Sequence, residues 1–490
     1  MTLTTEDRMM DDYDTYDAIG LAALVAQGEV SPTALLDTAL ARTAAVNPAI
    51  NAVVNMAEDA ARRRIADGLP DGPLRGVPFL LKDLGCEAVD YPCDVGSRLF
   101  KSTTYTRNSA MFDRLAGAGL VPFARTTAPE MGIGTATEAV VYGGPTRNPW
   151  NLDRTPGGSS GGAAAAVAAG IVPAAHGSDG GGSVRVPASN CGLFGFKATR
   201  ARLPDGPYAG EGWAGMAIEG FLTRSVRDTA LLTDICAGPD LGAPYAAPAL
   251  SGSFMQAIDR PVQPLRIALC DTTLTGEAIT DTCRDAVHDA ARLLADMGHH
   301  VEPARPAQAD TVAMMQAWTD IVACGTAESV QTKLRKLGRP LADDDVEGVT
   351  RGAIAHAATI SGADYIACID TIHLYGRQMA AFFQDYDILL TPTLAEPPAA
   401  IGRLAHDTTD YVGYRMDRVF PYSPYAAAFN ASGQPAASVP LYWAEGLPIG
   451  IHLAARFGAD EVLMALCADL ERARPWFHRL PPERAGFTRS

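Results

Sequence analysis

Three short segments of this chain contain residue types that together could cleave the bond between an acyl group and its leaving group. Lys82 stands near the end of the apolar run GVPFLLKD. Two serines lie inside glycine, Ser159 in GGSSGG at 157–162 and Ser183 in GSDGGGSVR at 177–185. Glycine lets backbone N–H groups approach a ligand closely, as an oxyanion site requires. A serine beside a base can attack a carbonyl carbon, so the three segments are candidates for nucleophilic catalysis.

Each of these residues also has a plain structural explanation. The glycines before Ser183 could form an ordinary tight turn. The segment 157–162 could be a connector, a helix cap or an anion-binding loop, because helix N-termini bind anions. It lacks the lysine of a Walker A loop, and the turn-like stretch 148–156 before it disfavours a strand-to-helix nucleophile elbow. Lys82 could end a strand in solvent, since only a buried lysine becomes a neutral base.

Composition narrows the class of protein. The chain has 490 residues, of which 47% are hydrophobic and 20% charged, which is ordinary for a globular protein. Its 40 basic and 56 acidic side chains give a net charge of −16, which disfavours a nucleic-acid partner. Nine scattered cysteines without a CxxC pair, and no HExxH, predict neither a disulfide framework nor a metal site.

No segment of the sequence predicts export or membrane insertion. Residues 1–16 are acidic and polar and lack the basic and apolar regions of a signal peptide. The longest small-apolar run, 163–175, contains Gly170 and Pro173 and is too short to cross a bilayer. We therefore expect a cytoplasmic protein without a membrane partner.

The pattern of apolar residues predicts an α/β fold. Residues 1–70 are expected to form an N-terminal helical arm, with a helix starting at Ser31-Pro32. Farther along, strands are predicted at 77–81, 120–124, 265–270 and 388–393, and helices at 108–118, 163–169, 281–297 and 458–473. This alternation favours a mixed, twisted sheet covered by helices on both faces. The polar, glycine-poor stretch 305–385 predicts an inserted helical region.

Taken together, the lysine and the two glycine–serine segments resemble the amidase signature family. The resemblance extends from about 74 to 230 and includes 429–440 and 446–450 near the C-terminus. It implies one large catalytic domain over residues 71–490, with the helical stretch at about 305–385 forming a substrate pocket. It also implies an amidase that hydrolyses carboxamide C–N bonds without a metal or cofactor.

The resemblance implies a role for each residue of the signature. Lys82 matches the general base, Ser159 the bridging serine with a cis peptide bond, and Ser183 the nucleophile that forms an acyl-enzyme. The remaining matches concern the loop before Ser183: the N–H groups of Gly180, Gly181 and Gly182 match the oxyanion hole, and Asp179 and Arg185 match the groups that hold the loop. Family members often carry a larger residue at the first of these glycines, so the sequence predicts a more flexible loop.

The substrate is less well determined by the sequence. The segments 147–152, 175–179 and 338–347 resemble amidases of nylon oligomers, which implies small linear or cyclic amides such as 6-aminohexanoate oligomers. Aryl or aliphatic amides, carbamates, glutamine in an amidotransferase complex, and an inactive binding protein stay open as alternatives. Four residues are expected to contact a small-molecule amide, with core packing as the other explanation: Trp318, Val322, Tyr411 and Tyr414. A homodimer is one expectation for the assembly.

Overall fold

An eleven-stranded mixed β-sheet runs through the computed structural model, which describes residues 9–484. Residues 1–8, at the start of the predicted arm, and 485–490, at the end of the predicted catalytic domain, lie outside the described residues. The strands are β1 (Val53–Val54), β2 (Pro78–Lys82), β3 (Val121–Thr126), β4 (Ala174–Asp179), β5 (Phe194–Lys197), β6 (Ile218–Thr223), β7 (Arg266–Leu269), β8 (His300–Pro303), β9 (Ile388–Pro392), β10 (Ala436–Ala444) and β11 (Leu447–Ala455).

The strand order in the sheet is β1-β3-β2-β4-β6-β5-β10-β11-β9-β7-β8. Strand β2 is parallel to both β3 and β4, and β7 is parallel to both β8 and β9. The other neighbours are antiparallel. Because β2 and β4 are parallel neighbours, their carboxyl ends lie at the same edge of the sheet, which brings Lys82 close to Ser178 and Asp179.

Sixteen α-helices surround the sheet in the described part of the chain. They are α1 (Ala18–Gln27), α2 (Pro32–Ile50), α3 (Glu58–Ala66), α4 (Ala110–Gly117), α5 (Gly161–Ala168), α6 (Arg185–Cys191), α7 (Val226–Cys236), α8 (Phe254–Ile258), α9 (Asp281–Asp296), α10 (Thr311–Leu337), α11 (Gly348–Ala357), α12 (Gly362–Phe382), α13 (Tyr411–Gly413), α14 (Phe420–Tyr422), α15 (Ala426–Ser432) and α16 (Asp460–Ala473). A π-helix covers Tyr414–Val419. None of the described helices is long and apolar enough to cross a membrane.

Helices pack on both faces of the sheet, as the sequence predicts. Successive side chains of a strand point to opposite faces. Leu80 of β2 belongs to the hydrophobic cluster that contains α5, whereas Phe79 and Leu81 belong to the cluster that contains α1 and α4. The prediction of a single α/β domain built on a mixed sheet is therefore confirmed.

Helix α5 places the first serine segment against the sheet. All eight of its residues are buried, and most are alanine. Its second residue, Gly162, lies against β3, because a Cβ atom at this position would be 2.5 Å from the Thr127 nitrogen. Small residues let α5 approach the strands closely, so its N-terminal end, which follows Ser159 and Ser160, lies near the carboxyl ends of β2 and β4.

The N-terminal seventy residues are largely helical but also contribute to the sheet. The predicted helix start at Ser31-Pro32 is correct, because the Ser31 side chain caps α2 by accepting a hydrogen bond from the Ala34 nitrogen. Strand β1 pairs with β3 and so adds the outermost strand on that side. The stretch 305–385 contains three helices, α10, α11 and α12. The division of the chain at residue 70 stays a prediction.

Candidate active site

Lys82 is fully buried at the carboxyl end of β2. Its Nζ atom lies 2.7 Å from Ser159 Oγ and 2.9 Å from Ser178 Oγ. The backbone N–H of Lys82 donates to His176 Nδ1 at 3.2 Å, and the other ring nitrogen of His176 contacts Glu219 at 2.7 Å. The amine of Lys82 therefore contacts two serine hydroxyl groups, and neighbouring side chains hold the Lys82 backbone in place.

Burial lowers the pKa of Lys82 to about 7. The charged form loses its hydration in the interior, and the more distant carboxylates of Glu219 and Asp179 only partly offset that loss. A lysine with this pKa is substantially neutral near pH 7. It can therefore accept a proton from a hydroxyl group to which it is hydrogen-bonded.

The turn before α5 presents Ser159 to this lysine. The Gly158–Ser159 peptide bond is cis, and Gly157 has a φ of +81°, a region that favours glycine. A Cβ atom at Gly158 would lie 2.9 Å from the Ala136 nitrogen, so the turn is tightly enclosed. The backbone N–H of Ser160 donates to the Ser183 carbonyl at 3.1 Å, which joins the two serine segments directly.

The glycine loop after β4 offers free backbone donors next to Ser183. The N–H groups of Gly180, Gly181 and Ser183 donate to no described residue. By contrast, the N–H of Gly182 donates to Asp179 Oδ1 at 2.8 Å. Of the three glycines predicted for the oxyanion hole, Gly182 therefore has its N–H group already engaged. The hydroxyl of Ser183 also has no hydrogen-bond partner among the described residues.

A buried ion pair holds this loop. Arg185 donates to Asp179 through Nη2 at 2.8 Å and Nε at 3.0 Å, and both side chains are fully buried. Burial opposes the charge of Asp179, but the guanidinium outweighs it and lowers the pKa of the carboxyl. Asn430 and His452 complete the contacts of Arg185 at 2.7 and 3.0 Å. The sequence-predicted pair is thus brought together as a brace beneath the loop.

A narrow cavity opens at Ser183 between the loop and the helical region. Its lining is mostly apolar and contains no acidic residue; the residues are Gly132, Ile133, Gly134, Thr135, Gly181, Ser183, Trp213, Trp318, Arg415, Val419, Phe420, Ser423 and Ala427. In the described part of the chain, no group of three or more His, Cys, Asp or Glu side chains is arranged to hold a metal ion.

Of the four residues predicted to contact the substrate, only Trp318 lines this cavity. Val322, Tyr411 and Tyr414 are buried away from it in the main hydrophobic cluster. The hydroxyl groups of the two tyrosines donate to backbone carbonyls, Tyr411 to Thr319 and Tyr414 to Leu404, each at 3.0 Å. A role for these three in substrate binding stays a prediction.

Two indole rings cover the glycine loop, which is therefore more confined than the sequence predicts. A Cβ atom at Gly180 would lie 2.5 Å from the ring of Trp213, and one at Gly181 would lie 2.7 Å from the ring of Trp318. The two rings pack edge to face with centroids 5.9 Å apart, and Trp318 Nε1 donates to the Gly180 carbonyl at 3.0 Å. The space that a larger residue would occupy is filled by these rings.

Sequence reasoning missed three residues of the site: Ser178, Trp213 and Arg415. Ser178 was visible within the third segment, and recognition of β4 as a strand parallel to β2 would have placed it beside Lys82. No local signal pointed to Trp213. Arg415 lies in the stretch 411–429, whose many Tyr and Phe residues indicate a pocket wall, but nothing in the sequence singled out the arginine itself.

Comparison with known proteins identifies the family of the chain. The family model described as Amidase matches residues 34–464. The 6-aminohexanoate-cyclic-dimer hydrolase of Paenarthrobacter ureafaciens is 37% identical over 479 residues, covering 95% of this chain and 96% of that protein. An acylamidase of Rhodococcus erythropolis is 34% identical over 482 residues, covering 95% and 97%.

A solved structure of a 6-aminohexanoate cyclic dimer hydrolase superposes with a TM-score of 0.92. It is 35% identical in sequence, and the match covers 96% of this chain and 99% of that chain. Fold, family model and full-length relatives thus point the same way. The chain belongs to the amidase signature family and is an amidohydrolase acting on carbon–nitrogen bonds.

Proposed function

We propose that this protein hydrolyses small linear or cyclic amides, such as 6-aminohexanoate oligomers, through Lys82, Ser159 and Ser183. The contact that carries the proposal is the 2.7 Å approach of the buried Lys82 amine to the Ser159 hydroxyl. The identity to 6-aminohexanoate-cyclic-dimer hydrolases over nearly the whole chain supports the choice of substrate.

The acylation step begins with proton movement away from Ser183. Neutral Lys82 accepts the proton of Ser159, and Ser159 accepts that of Ser183 as the Ser183 oxygen attacks the amide carbonyl. The carbonyl oxygen becomes an oxyanion. The free N–H groups of Gly180, Gly181 and Ser183 are the donors we assign to it, while Gly182 keeps its bond to Asp179.

The departing nitrogen needs a proton, because an amide anion is a poor leaving group. Ser159 supplies this proton as the C–N bond breaks, and protonated Lys82 returns one to Ser159. The amine leaves and the acyl group stays on Ser183 as an ester. Water then attacks the ester with the same groups acting in reverse, which releases the acid and restores the serine.

A panel of amides tests the proposal with purified protein. It contains cyclic and linear 6-aminohexanoate oligomers, anilides, aliphatic amides, carbamates and glutamine, with released amine or ammonia measured in each case. We expect hydrolysis of the 6-aminohexanoate amides and a loss of at least about 10³-fold in Ser183→Ala. Equal rates in Ser183→Ala, or no product from any amide, would contradict it.

An acylamidase is the second candidate, favoured by the full-length identity to the Rhodococcus enzyme. It would use the same groups and differ in the amine that leaves. A higher kcat/KM for anilides than for 6-aminohexanoate oligomers would decide in its favour.

A further inference from the structure

Arg415 reaches the cavity of Ser183 from an unusual piece of backbone. It lies in the π-helix Tyr414–Val419, and its side chain is only 2% exposed. Such π-helical turns are frequent at functional sites, because the extra residue per turn redirects side chains. Here the turn points a guanidinium group into a cavity whose other walls are largely apolar.

The contacts of Arg415 leave part of its hydrogen-bonding capacity unused. Nη1 donates to the Ile133 carbonyl at 2.7 Å. The guanidinium carbon lies 4.3 Å from the ring centroid of Trp318 and 5.8 Å from that of Tyr411, and the guanidinium also interacts with the Tyr411 hydroxyl. Nε is buried without a hydrogen-bond partner, and no described carboxylate lies within ion-pair distance.

Two other fully buried arginines, Arg125 and Arg185, have a hydrogen-bond partner for each guanidinium nitrogen. Arg125 donates to several backbone carbonyls, including those of Lys82 and Tyr91. Arg185 makes a two-nitrogen ion pair with Asp179. An arginine stays charged at any ordinary pH, and an unpaired buried charge is costly. The incomplete set of partners at Arg415 therefore points to one supplied by a ligand.

Two further unpaired polar atoms lie in the walls of the same cavity. The hydroxyl groups of Thr135 and Ser423 are buried and have no partner among the described residues. Ser423 is close to the nucleophile loop, because a Cβ atom at Gly182 would lie 3.8 Å from its Oγ. Other buried side-chain atoms of the described residues also lack a partner, but these three lie in the walls of one cavity beside Ser183. Buried polar groups are usually hydrogen-bonded in native structures, so this grouping points to a shared ligand.

We propose that Arg415, helped by Thr135 and Ser423, forms a subsite for a second oxygen acceptor of the substrate. The acceptor is a carboxylate or a second amide carbonyl, carried on the molecule away from the bond that is cleaved. This inference rests on the proposed function and deepens it by naming the substrate class. The cyclic dimer of 6-aminohexanoate has such a group, because its ring contains two amides.

The charge of Arg415 also predicts which substrates are disfavoured. A carboxylate gains a charge-assisted hydrogen bond, and a neutral carbonyl gains a weaker one. An ammonium group in the same place is repelled by the guanidinium and finds no acidic residue in the cavity lining. Amides with a cationic end at this subsite should therefore be poor substrates.

Five amides of nearly equal length test the subsite. N-Hexylhexanamide is the neutral reference, and adipic acid monohexylamide and N-hexanoyl-6-aminohexanoate carry a carboxylate on the acyl and amine sides. The hexylamide of adipamic acid carries a second amide, and 6-amino-N-hexylhexanamide carries an ammonium group. Released amine is measured for each. We expect at least one carboxylate amide to exceed the reference in kcat/KM by about tenfold or more.

Three variants assign any such preference to the subsite. Arg415→Met should bring the ratio of carboxylate to neutral substrate near one, mainly by raising KM for the carboxylate amide. Arg415→Lys keeps the charge but loses the planar fork, so an intermediate ratio is expected. Ser423→Ala should lower the ratio less. This variant still tests the subsite if the Arg415 variants do not fold. The matched control is Arg418→Met, in the same π-helix, where the arginine is exposed and paired with Asp407.

The outcomes separate the subsite from the proposed function. Hydrolysis of the neutral amide, without preference for a carboxylate or second amide, would overturn the subsite and leave the proposed function intact. If Arg415→Met loses activity equally on all five amides, Arg415 only supports the structure of the site, and the subsite is also overturned. If the wild-type protein hydrolyses 6-aminohexanoate oligomers but none of the five, the subsite is overturned and the proposed function stands. If it hydrolyses neither, the proposed function fails and the subsite with it.

Discussion

Lys82 combines complete burial with hydroxyl groups as the partners of its amine. A buried ammonium would need a carboxylate in direct contact to balance its lost hydration, and here the contacts are Ser159 and Ser178. The neutral amine is therefore favoured, and a neutral amine can accept the proton of a serine. Its burial and its two hydroxyl partners are therefore the reasons why we propose Lys82 as the base.

The pKa of Lys82 predicts the pH dependence of catalysis. Because the base must be neutral and its pKa lies at about 7, kcat/KM should rise about tenfold per pH unit below pH 7 and level off above it. The measurement is a pH–rate profile on a neutral amide whose own ionisation does not change over the range.

Lys197 provides the control for that profile. Burial lowers its pKa to about 7 as well, but its amine donates to the Ala198 carbonyl and does not line the cavity. Lys197→Met should therefore keep the same pH midpoint if it folds. If the pH midpoint disappears in Lys197→Met but stays in Lys82→Arg, the titrating group is Lys197, and Lys82 is not the base.

At the scale of secondary-structure elements, the candidate active site lies at one edge of the sheet, where β2 and β4 end and the glycine loop follows. The sequence predicts β2 well, because Val77–Leu81 is a continuous apolar run. It does not predict β4, because AAHGSD has few residues that favour strands. Pairing of β4 with both β2 and β6 overrides that low propensity, and such pairing is not visible in a single sequence.

Substitution of Gly180 tests the confinement of the loop. In Gly180→Ala the new methyl group would overlap the Trp213 ring, since the Cβ position lies 2.5 Å from it. We expect kcat to fall by about tenfold or more as the loop shifts, because overpacking of this kind costs about 1–3 kcal/mol.

The double variant Gly180→Ala/Trp213→Leu provides the matched test. A smaller side chain at 213 leaves room for the methyl group, so part of the lost activity should return. If the double variant is no more active than Gly180→Ala alone, the contact with Trp213 is not the reason for glycine at this position.

For the whole molecule, the brace beneath the glycine loop connects distant parts of the chain. Arg185 and Asp179 come from adjoining elements, whereas Asn430 and His452 come from α15 and β11. Removal of one member of a buried ion pair leaves the other charge uncompensated. The brace therefore links the order of the active site to the stability of the fold.

Arg185→Met measures this link. We expect the free energy of unfolding to fall by about 3–5 kcal/mol, seen as a lower Tm, together with lower activity. Arg418→Met removes an exposed ion pair and should change stability by less than about 1 kcal/mol. Equal Tm values for the two variants would contradict a stabilising brace.

The sequence predicts the site residues that stand in short local segments and misses those that contact each other across long stretches of chain. Lys82, Ser159 and Ser183 stand in recognisable local segments, and apolar runs predict four of the eleven strands, β2, β3, β7 and β9. Arg415 contacts Ile133 across 282 residues, and no local pattern marks either. Residues that meet only through the fold are therefore the part that the sequence could not supply.

The most direct test of the central claim is the capture of an acyl group on Ser183. The protein is mixed with p-nitrophenyl hexanoate, quenched in acid during turnover, digested, and analysed by mass spectrometry. Because no Lys or Arg separates Ser159 from Ser183, the modified residue is located by fragmenting the peptide. We predict one hexanoyl group on Ser183, none in Ser183→Ala, and far less in Lys82→Met. An acyl group on Ser159 instead, or undiminished hydrolysis of amides by Ser183→Ala, would contradict the account.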